Sequence, residues 1–321
     1  MTDIMANPRR RSNGRTNNGR RNESRPIWEE PTGKAGQASK GTVLAVVAAL
    51  IVVPVYAVIL TSFSSEGAIN RAGGLVLVPD GLSLNSYRQM LTSGPVTQAL
   101  VVSLGVTLVG TLISMTVSIL CAYGLSRSRS LGHRFLLMLL IVTMFVSGGL
   151  IPTFLVVNSL GGYGQYWALI LPSAVSVFNI LVLRSFYSGT AAELIDAARM
   201  DGASEWRILW SVVLPTSRAV TAVITLFYAV GYWNSFFNVM LYMPTSSSKW
   251  PLQYVLYEYV SLGMNMPGQV NAGYGSATSQ QTSPLGLQMA VVVLTLVPIA
   301  LATPFLQKHF AKGVLTGAIK G

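Results

Sequence analysis

The residues best able to do chemistry crowd into one stretch, 188–218, SGTAAELIDAARMDGASEWRILWSVVLPTSR. Thr190, followed three residues later by Glu193, forms a capping box that opens a helix through Leu194, Ile195, Ala197 and Ala198. Gly202 supplies a residue tolerant of positive φ where that helix must stop. Ser204 suits the N-cap of a second helix, and Glu205 stands in its first turn, where the helix dipole favours an anion. Trp206, Leu209, Trp210 and Val213 are expected on one face of it, and Pro215 marks the joint with the helix that follows. The outcome is a half-apolar knob built for recognition. Two surfaces suit it, lipid headgroups or another protein. Asp196 and Asp201 repel an anionic leaflet, while the small Ala197 and Ala198 permit close approach of a protein, so docking of a partner is the preferred reading.

Bond-making chemistry is absent from the pattern. The two histidines, His133 and His309, each sit beside a basic residue at the edge of an apolar run and read as topogenic or headgroup-facing. Cys121 stands alone, which excludes an internal disulfide or a cysteine-based zinc cluster. We therefore expect no catalytic residue and no metal site. No G-x-x-x-x-G-K-[ST] phosphate loop is present, since Gly33-Lys34 is followed by Ala35. A second group of polar residues interrupts the apolar runs: Asn179, Trp233, Asn234, Ser235 and Asn238. Polar side chains inside membrane spans usually face the bundle interior, where they serve either a solute path or hydrogen bonds between helices. Asn234 and Asn238, four apart, are expected to share a helical face.

The elements that must carry these residues follow from composition. Of 321 residues 51% are hydrophobic and 10% charged, against roughly 25% charged in a soluble domain. Six runs, at 42–63, 97–125, 135–157, 166–183, 219–243 and 285–306, hold no Asp, Glu, Lys or Arg. Each approaches or exceeds the roughly 20 residues needed to cross hydrocarbon, so the expected fold is all-α and polytopic, with six transmembrane helices. The net charge of +11 first suggests nucleic acid. Placement argues otherwise: nineteen of the twenty-two Lys and Arg fall on one side of the alternating spans, leaving Arg71, Arg88 and Lys249 on the other. By the positive-inside rule both termini are cytoplasmic, and no nucleic-acid partner is called for.

Residues 1–40, rich in Arg, Asn, Gly and Ser, read as a disordered basic tail, followed by a six-helix membrane domain over 41–321. The segments 64–94 and 244–284 fall outside. The first is read as a short extended piece, a turn at Asp80-Gly81 and a brief surface helix; in the second, 251–262 is helical and 263–284 irregular. Loops of that length are candidates for docking an extracytoplasmic partner.

Asp196-Ala197-Ala198, three residues, Gly202, nine residues, Val212, one residue and Leu214-Pro215 resembles the EAA loop of binding-protein-dependent ABC importer permeases. Asp196 replaces Glu and Val212 replaces Ile, which keeps charge and branching. SLNSY at 83–87, WNSFF at 233–237, PLQY at 251–254 and KGVLTGAIKG at 312–321 extend the likeness to carbohydrate-type permeases similar to the smaller maltose-importer permease and to those for complex oligosaccharides and polysaccharides. The resemblance implies a type I importer fold in the bacterial inner membrane and a non-enzymatic role. The implied partners are a second homologous permease, two cytoplasmic ATPase subunits carrying ATP and magnesium, a solute-binding protein, membrane lipid, and an oligosaccharide or polysaccharide substrate. Glu193, Asp196, Ala197, Ala198, Asp201, Gly202 and Pro215 would then couple to the ATPase, and Asn179, Trp233, Asn234 and Asn238 would border the solute pathway. Two other classes fit less well. An ion-coupled secondary transporter usually needs ionisable residues within its spans, and these spans hold none; a non-transporting scaffold would use the basic tail and the acidic loop as interaction surfaces and show no solute-dependent ATP hydrolysis with its partners.

Overall fold

A computed structural model describes residues 34–92, 94–127, 132–189, 192–261 and 284–318. In chain order the helices are α1 (Lys34–Ser62), α2 (Glu66–Ala72), α3 (Asn85–Thr92), α4 (Pro95–Leu125), α5 (His133–Phe145), α6 (Leu150–Ser159), α7 (Trp167–Ile170), α8 (Val177–Gly189), α9 (Ala192–Met200), α10 (Glu205–Ile208), α11 (Leu214–Thr216), α12 (Arg218–Trp233), α13 (Phe237–Tyr242), α14 (Leu252–Val260) and α15 (Pro284–Ala318). Among the described residues the β pairing amounts to one antiparallel bridge, Ser64 to Leu82. The chain divides into two units, Met1–Val53, whose described part is the N-terminal portion of α1, and Pro54–Gly321, which holds every other element. Helix α1 takes in residues 34–40 of the stretch read as tail; residues 1–33 and the segment 262–283 lie outside the described residues.

Three helical stretches are long and apolar enough to cross a membrane by themselves: Gly36–Ser62, Pro95–Leu125 and Pro284–Pro304. The other runs are broken. His133–Phe145 and Leu150–Ser159 meet at 114°, Trp167–Ser173 and Val177–Gly189 at 52°, and Glu205–Thr216 and Arg218–Trp233 at 87°. Six spans result if each bent pair is one crossing. The expected continuous helix at 135–157 breaks at Gly148-Gly149, with Gly149 at φ 81° and Pro152 unable to donate back across the gap. The expected run 166–183 tightens into a 3₁₀ turn at Leu171–Ser173, containing Pro172, before α8 begins. The expected run 219–243 ends early, at Trp233, and α13 starts anew at Phe237.

A helix break in a membrane leaves backbone groups needing partners, and here tyrosines supply them. Tyr232 donates its hydroxyl to Ile170 O at 3.0 Å, and the Ser176 amide donates to the Tyr228 hydroxyl at 3.2 Å, on either side of the α7–α8 break. The same hydroxyls pair with Ser114 Oγ at 2.8 Å and Ser118 Oγ at 2.7 Å. Ser114 and Ser118 are one turn apart on α4, and Tyr228 and Tyr232 one turn apart on α12, so the four form a buried ladder between the two helices. Gly110 completes the fit, because a Cβ there would lie 2.9 Å from the Tyr232 ring. Tyr232→Phe is expected to cost about 1 kcal/mol and lower the melting temperature of the purified assembly; an unchanged melting temperature would show that the ladder holds nothing.

The segment 64–94 is more ordered than the sequence suggests. Ser65 caps α2 by accepting the Ala68 amide, a helix missed because it is only seven residues long and has little apolar period. Arg71 binds Asp80 through Nε at 3.0 Å and Nη2 at 2.6 Å, and Gly81 turns the chain at φ 74°. Helices α3 and α14 pack with the start of α4 and of α15 around Met90, Val96, Leu252 and Leu287. Ser103 Oγ accepts the Leu252 amide at 2.7 Å, fixing α14 against α4. On α14 the Tyr254 hydroxyl is held above the usual tyrosine range, first by burial and then by the adjacent Glu258 carboxylate.

Candidate functional site

The knob consists of α9, the turn at Gly202, and a helical stretch that runs through α10, a π-helical turn at Leu209–Val213 and α11. Gly202 sits at φ 75°. Its amide donates to Arg199 O at 3.0 Å, and the Ala203 amide reaches Ala198 O at 3.0 Å, a Schellman ending that satisfies the last carbonyls of α9. Ser204 takes the extended N-cap conformation, but its side chain makes no capping bond. Thr190 lies outside the described residues, so the capping box with Glu193 does too; Glu193 belongs to the first turn of α9.

The knob's faces divide more finely than spacing suggests. Ile195, Ile208, Leu209 and Val213 are buried in the main core, with Ala198 and Ala203 packed against it. Asp196, Ala197, Met200 and Asp201 face outward, Met200 at 89% exposure. The alanine pair is therefore split, Ala197 outside and Ala198 inside. The single apolar face expected for Trp206, Leu209, Trp210 and Val213 is likewise corrected. Leu209 and Val213 are buried while Trp206 and Trp210 are exposed, because 206/210 and 209/213 run as two adjacent rows. Trp210 borders an apolar groove of about 660 Å³ with Pro215, Arg218 and Ala302 at its edges. Pro215 lies within α11, two residues before the bend, and Ser217 at φ −103° and ψ 19° is the residue at which the chain turns into α12.

At the other end of α12 lies a cavity of about 370 Å³ whose lining mixes polar and aromatic side chains. Asn179 from α8 and Ser173 and Ser176 from the α7–α8 break line it, together with Tyr228, Asn234 and Asn238. Asn238 Nδ2 donates to Ser173 Oγ at 3.3 Å. Asn234 bonds its own helix through Val230 O at 2.9 Å and accepts from Gln253 Nε2 of α14 at 3.2 Å. Asn234 and Asn238 do not share a helical face, since α12 ends at Trp233 and α13 begins at Phe237; both line the cavity from either side of that break. Trp233 is a second correction. It is 4% exposed, packs among Leu252, Val255 and Leu287, and donates its indole N–H to Thr295 O at 3.0 Å, in the turn of α15 that Pro298 interrupts. It braces two helices and does not line the cavity. The serines and tyrosines around the break were missed in the sequence, although Ser114/Ser118 and Tyr228/Tyr232, each pair four apart in an apolar run, carried the signal.

The bent helix pairs, the outward-facing knob and the cavity at the far end of α12 suit a membrane transport subunit. The chain belongs to the family described as binding-protein-dependent transport system inner membrane component, whose model matches residues 114–316. Among its relatives, the polygalacturonan/rhamnogalacturonan transport system permease protein YtcP of Bacillus subtilis (strain 168) is 42% identical over 276 residues, 85% of this chain and 94% of that one. The arabinooligosaccharides transport system permease protein AraQ of Halalkalibacterium halodurans is 26% identical, over 86% of this chain and 94% of its own. In three dimensions the chain is similar to a subunit of a bacterial ABC transporter involved in the import of the acidic polysaccharide alginate. That match has a TM-score of 0.80 and 26% identity, over 89% of this chain and 100% of that one.

Proposed function

We propose that this chain is one of two related permeases in an ATP-driven importer that takes oligosaccharides or polysaccharide fragments from an extracytoplasmic solute-binding protein. The relatives named for such sugars support the substrate class. The distribution of Lys and Arg supports six spans with both termini in the cytoplasm. ATP and magnesium belong to two separate ATPase subunits, and this chain transmits their closure.

The observation that carries the reading is the knob: a short helix ended by Gly202, its outer face formed by Asp196, Ala197, Met200 and Asp201, its inner face fixed in the core. Seated in an ATPase cleft, it moves as a rigid body when the ATPases close. The movement passes through α10, α11 and the 87° bend into α12. Because the Tyr–Ser ladder ties α12 to α4 and to the α7–α8 break, a tilt of α12 shifts Asn234 against Asn179 and Ser173 and reshapes the solute cavity. Sugar hydroxyls find amide and hydroxyl partners there, beside the faces of Phe227, Phe236 and Phe237.

Crosslinking provides the test. With Cys121 replaced by serine, Ala197→Cys is expected to crosslink to an ATP-hydrolysing polypeptide in the working assembly, and Ala198→Cys, facing the core, to do so far less. A working assembly in which Ala197→Cys never reaches such a polypeptide would remove the docking role.

A further inference from the structure

The apolar base of the knob, Ile195, Ile208, Leu209 and Val213, resists pulling it away from the bundle but does little to set its angle, because hydrophobic contact is non-directional. Direction requires hydrogen bonds, and they converge on one residue, Glu205. Its carboxylate accepts from the Tyr123 hydroxyl at 2.7 Å, in the last turn of α4, and from Arg127 Nη2, two residues past that helix. Tyr123 also reaches the Glu205 carbonyl oxygen at 3.3 Å. Arg199 Nε of α9 lies 3.8 Å from the other carboxylate oxygen, and Arg199 Nη1 bonds Asp196 Oδ1 at 3.3 Å. The Arg127 guanidinium lies 4.5 Å from the centre of the Tyr123 ring, which holds cation and phenol as one unit. The last turn of α4 is itself fixed by α8, through Arg184 Nε to Leu125 O at 2.8 Å and Ser188 Oγ to Ser126 O at 3.4 Å. A continuous polar chain thus runs from the knob's outer acid, Asp196, through Arg199 and Glu205 to α4.

We propose that Glu205 is a positioning residue that fastens the knob to the end of α4, so that α4 and α12 receive the knob's rotation together. Exposed ion pairs alone contribute little, but this carboxylate has three partners, one of them the buried Tyr123. Without it the knob still docks, yet its rotation reaches the spans through α12 only. The inference rests on the docking reading and goes further, giving α4 a separate line of force.

The test compares Glu205→Ala and Glu205→Gln with the unaltered chain, all in the complete importer. Hydrogen exchange of the amides at 205–213 is expected to quicken roughly tenfold in Glu205→Ala, reporting a loosened knob whether or not an ATPase is bound. Solute imported per ATP hydrolysed is expected to fall roughly fivefold. The Ala197→Cys crosslink stays, and Glu205→Gln, which still accepts from Tyr123, lies between the two. Unchanged exchange overturns the fastening. A normal import-to-hydrolysis ratio overturns the separate line of force. Loss of the crosslink together with the ratio makes Glu205 part of the docking surface and overturns the proposal as well. Absence of the Ala197→Cys crosslink when Glu205 is left in place overturns docking itself, while the exchange result still decides the fastening.

Discussion

Gly202→Val is expected to reach the membrane in normal amount and to lose at least tenfold in uptake, with solute-stimulated ATP hydrolysis falling alongside. Space is not the obstacle, because a Cβ at Gly202 meets nothing within 4 Å. The obstacle is φ 75°, which a β-branched residue adopts at a cost of about 1–2 kcal/mol or more. The chain relieves that cost by opening the turn, which breaks the bonds from the Gly202 and Ala203 amides and swings α9 away from α10. A tenfold loss corresponds to about 1.4 kcal/mol of coupling, within reach of that strain. Because asparagine tolerates the left-handed region, Gly202→Asn should keep most activity, while Gly202→Ala falls between. Uptake and hydrolysis measured on the three variants decide the matter. A valine variant that imports and hydrolyses like the unaltered protein would mean the turn's angle is irrelevant to coupling.

Gly110→Leu acts on the fold instead of the knob, and its expected result is loss of most folded protein. A Cβ at Gly110 would stand 2.9 Å from three carbons of the Tyr232 ring, which cannot swing aside because its hydroxyl is tied to Ser114 Oγ and Ile170 O. Overpacking of this kind costs about 1–3 kcal/mol, and leucine adds more carbon than the contact can absorb, so α4 and α12 must part. Alanine at the same position is the graded version. Gly110→Ala should lower the melting temperature by several degrees, and Gly110→Ala with Tyr232→Phe should cost less than the two changes summed, since the freed ring can shift. Strict additivity in that cycle would place the clash elsewhere.

Much of the architecture is legible because membrane insertion reads local composition. Uncharged runs mark candidate spans, and the asymmetry of Lys and Arg gives an orientation, each from transfer free energies that need no knowledge of neighbours. The knob was equally readable: a glycine at the end of an amphipathic segment announces a left-handed turn, and Gly202 occupies one at φ 75°. The Asp196-Ala197-Ala198 spacing to Gly202 and Leu214-Pro215 located the element within the chain.

Tertiary structure alone decided where the spans break, which alanine faces out, and which polar residues meet. Hydropathy averages over the breaks at Gly148-Gly149, at Leu171–Ser173 and after Trp233, since an apolar run scores the same whether straight or bent. At the α7–α8 break the hydrogen-bond partners come from far along the chain: Tyr232 for Ile170, 62 residues apart, and Tyr228 for Ser176, 52 apart. The same distance hid the role of Glu205, whose phenol partner lies 82 residues upstream. Trp233 looked like a solute contact because an indole in a span suits either a sugar or a neighbouring carbonyl, and only the packing of α15 beside it chose the carbonyl of Thr295. Local sequence determines what must leave water; the pairing of buried polar groups, which depends on who arrives next to whom, belongs to the assembled fold.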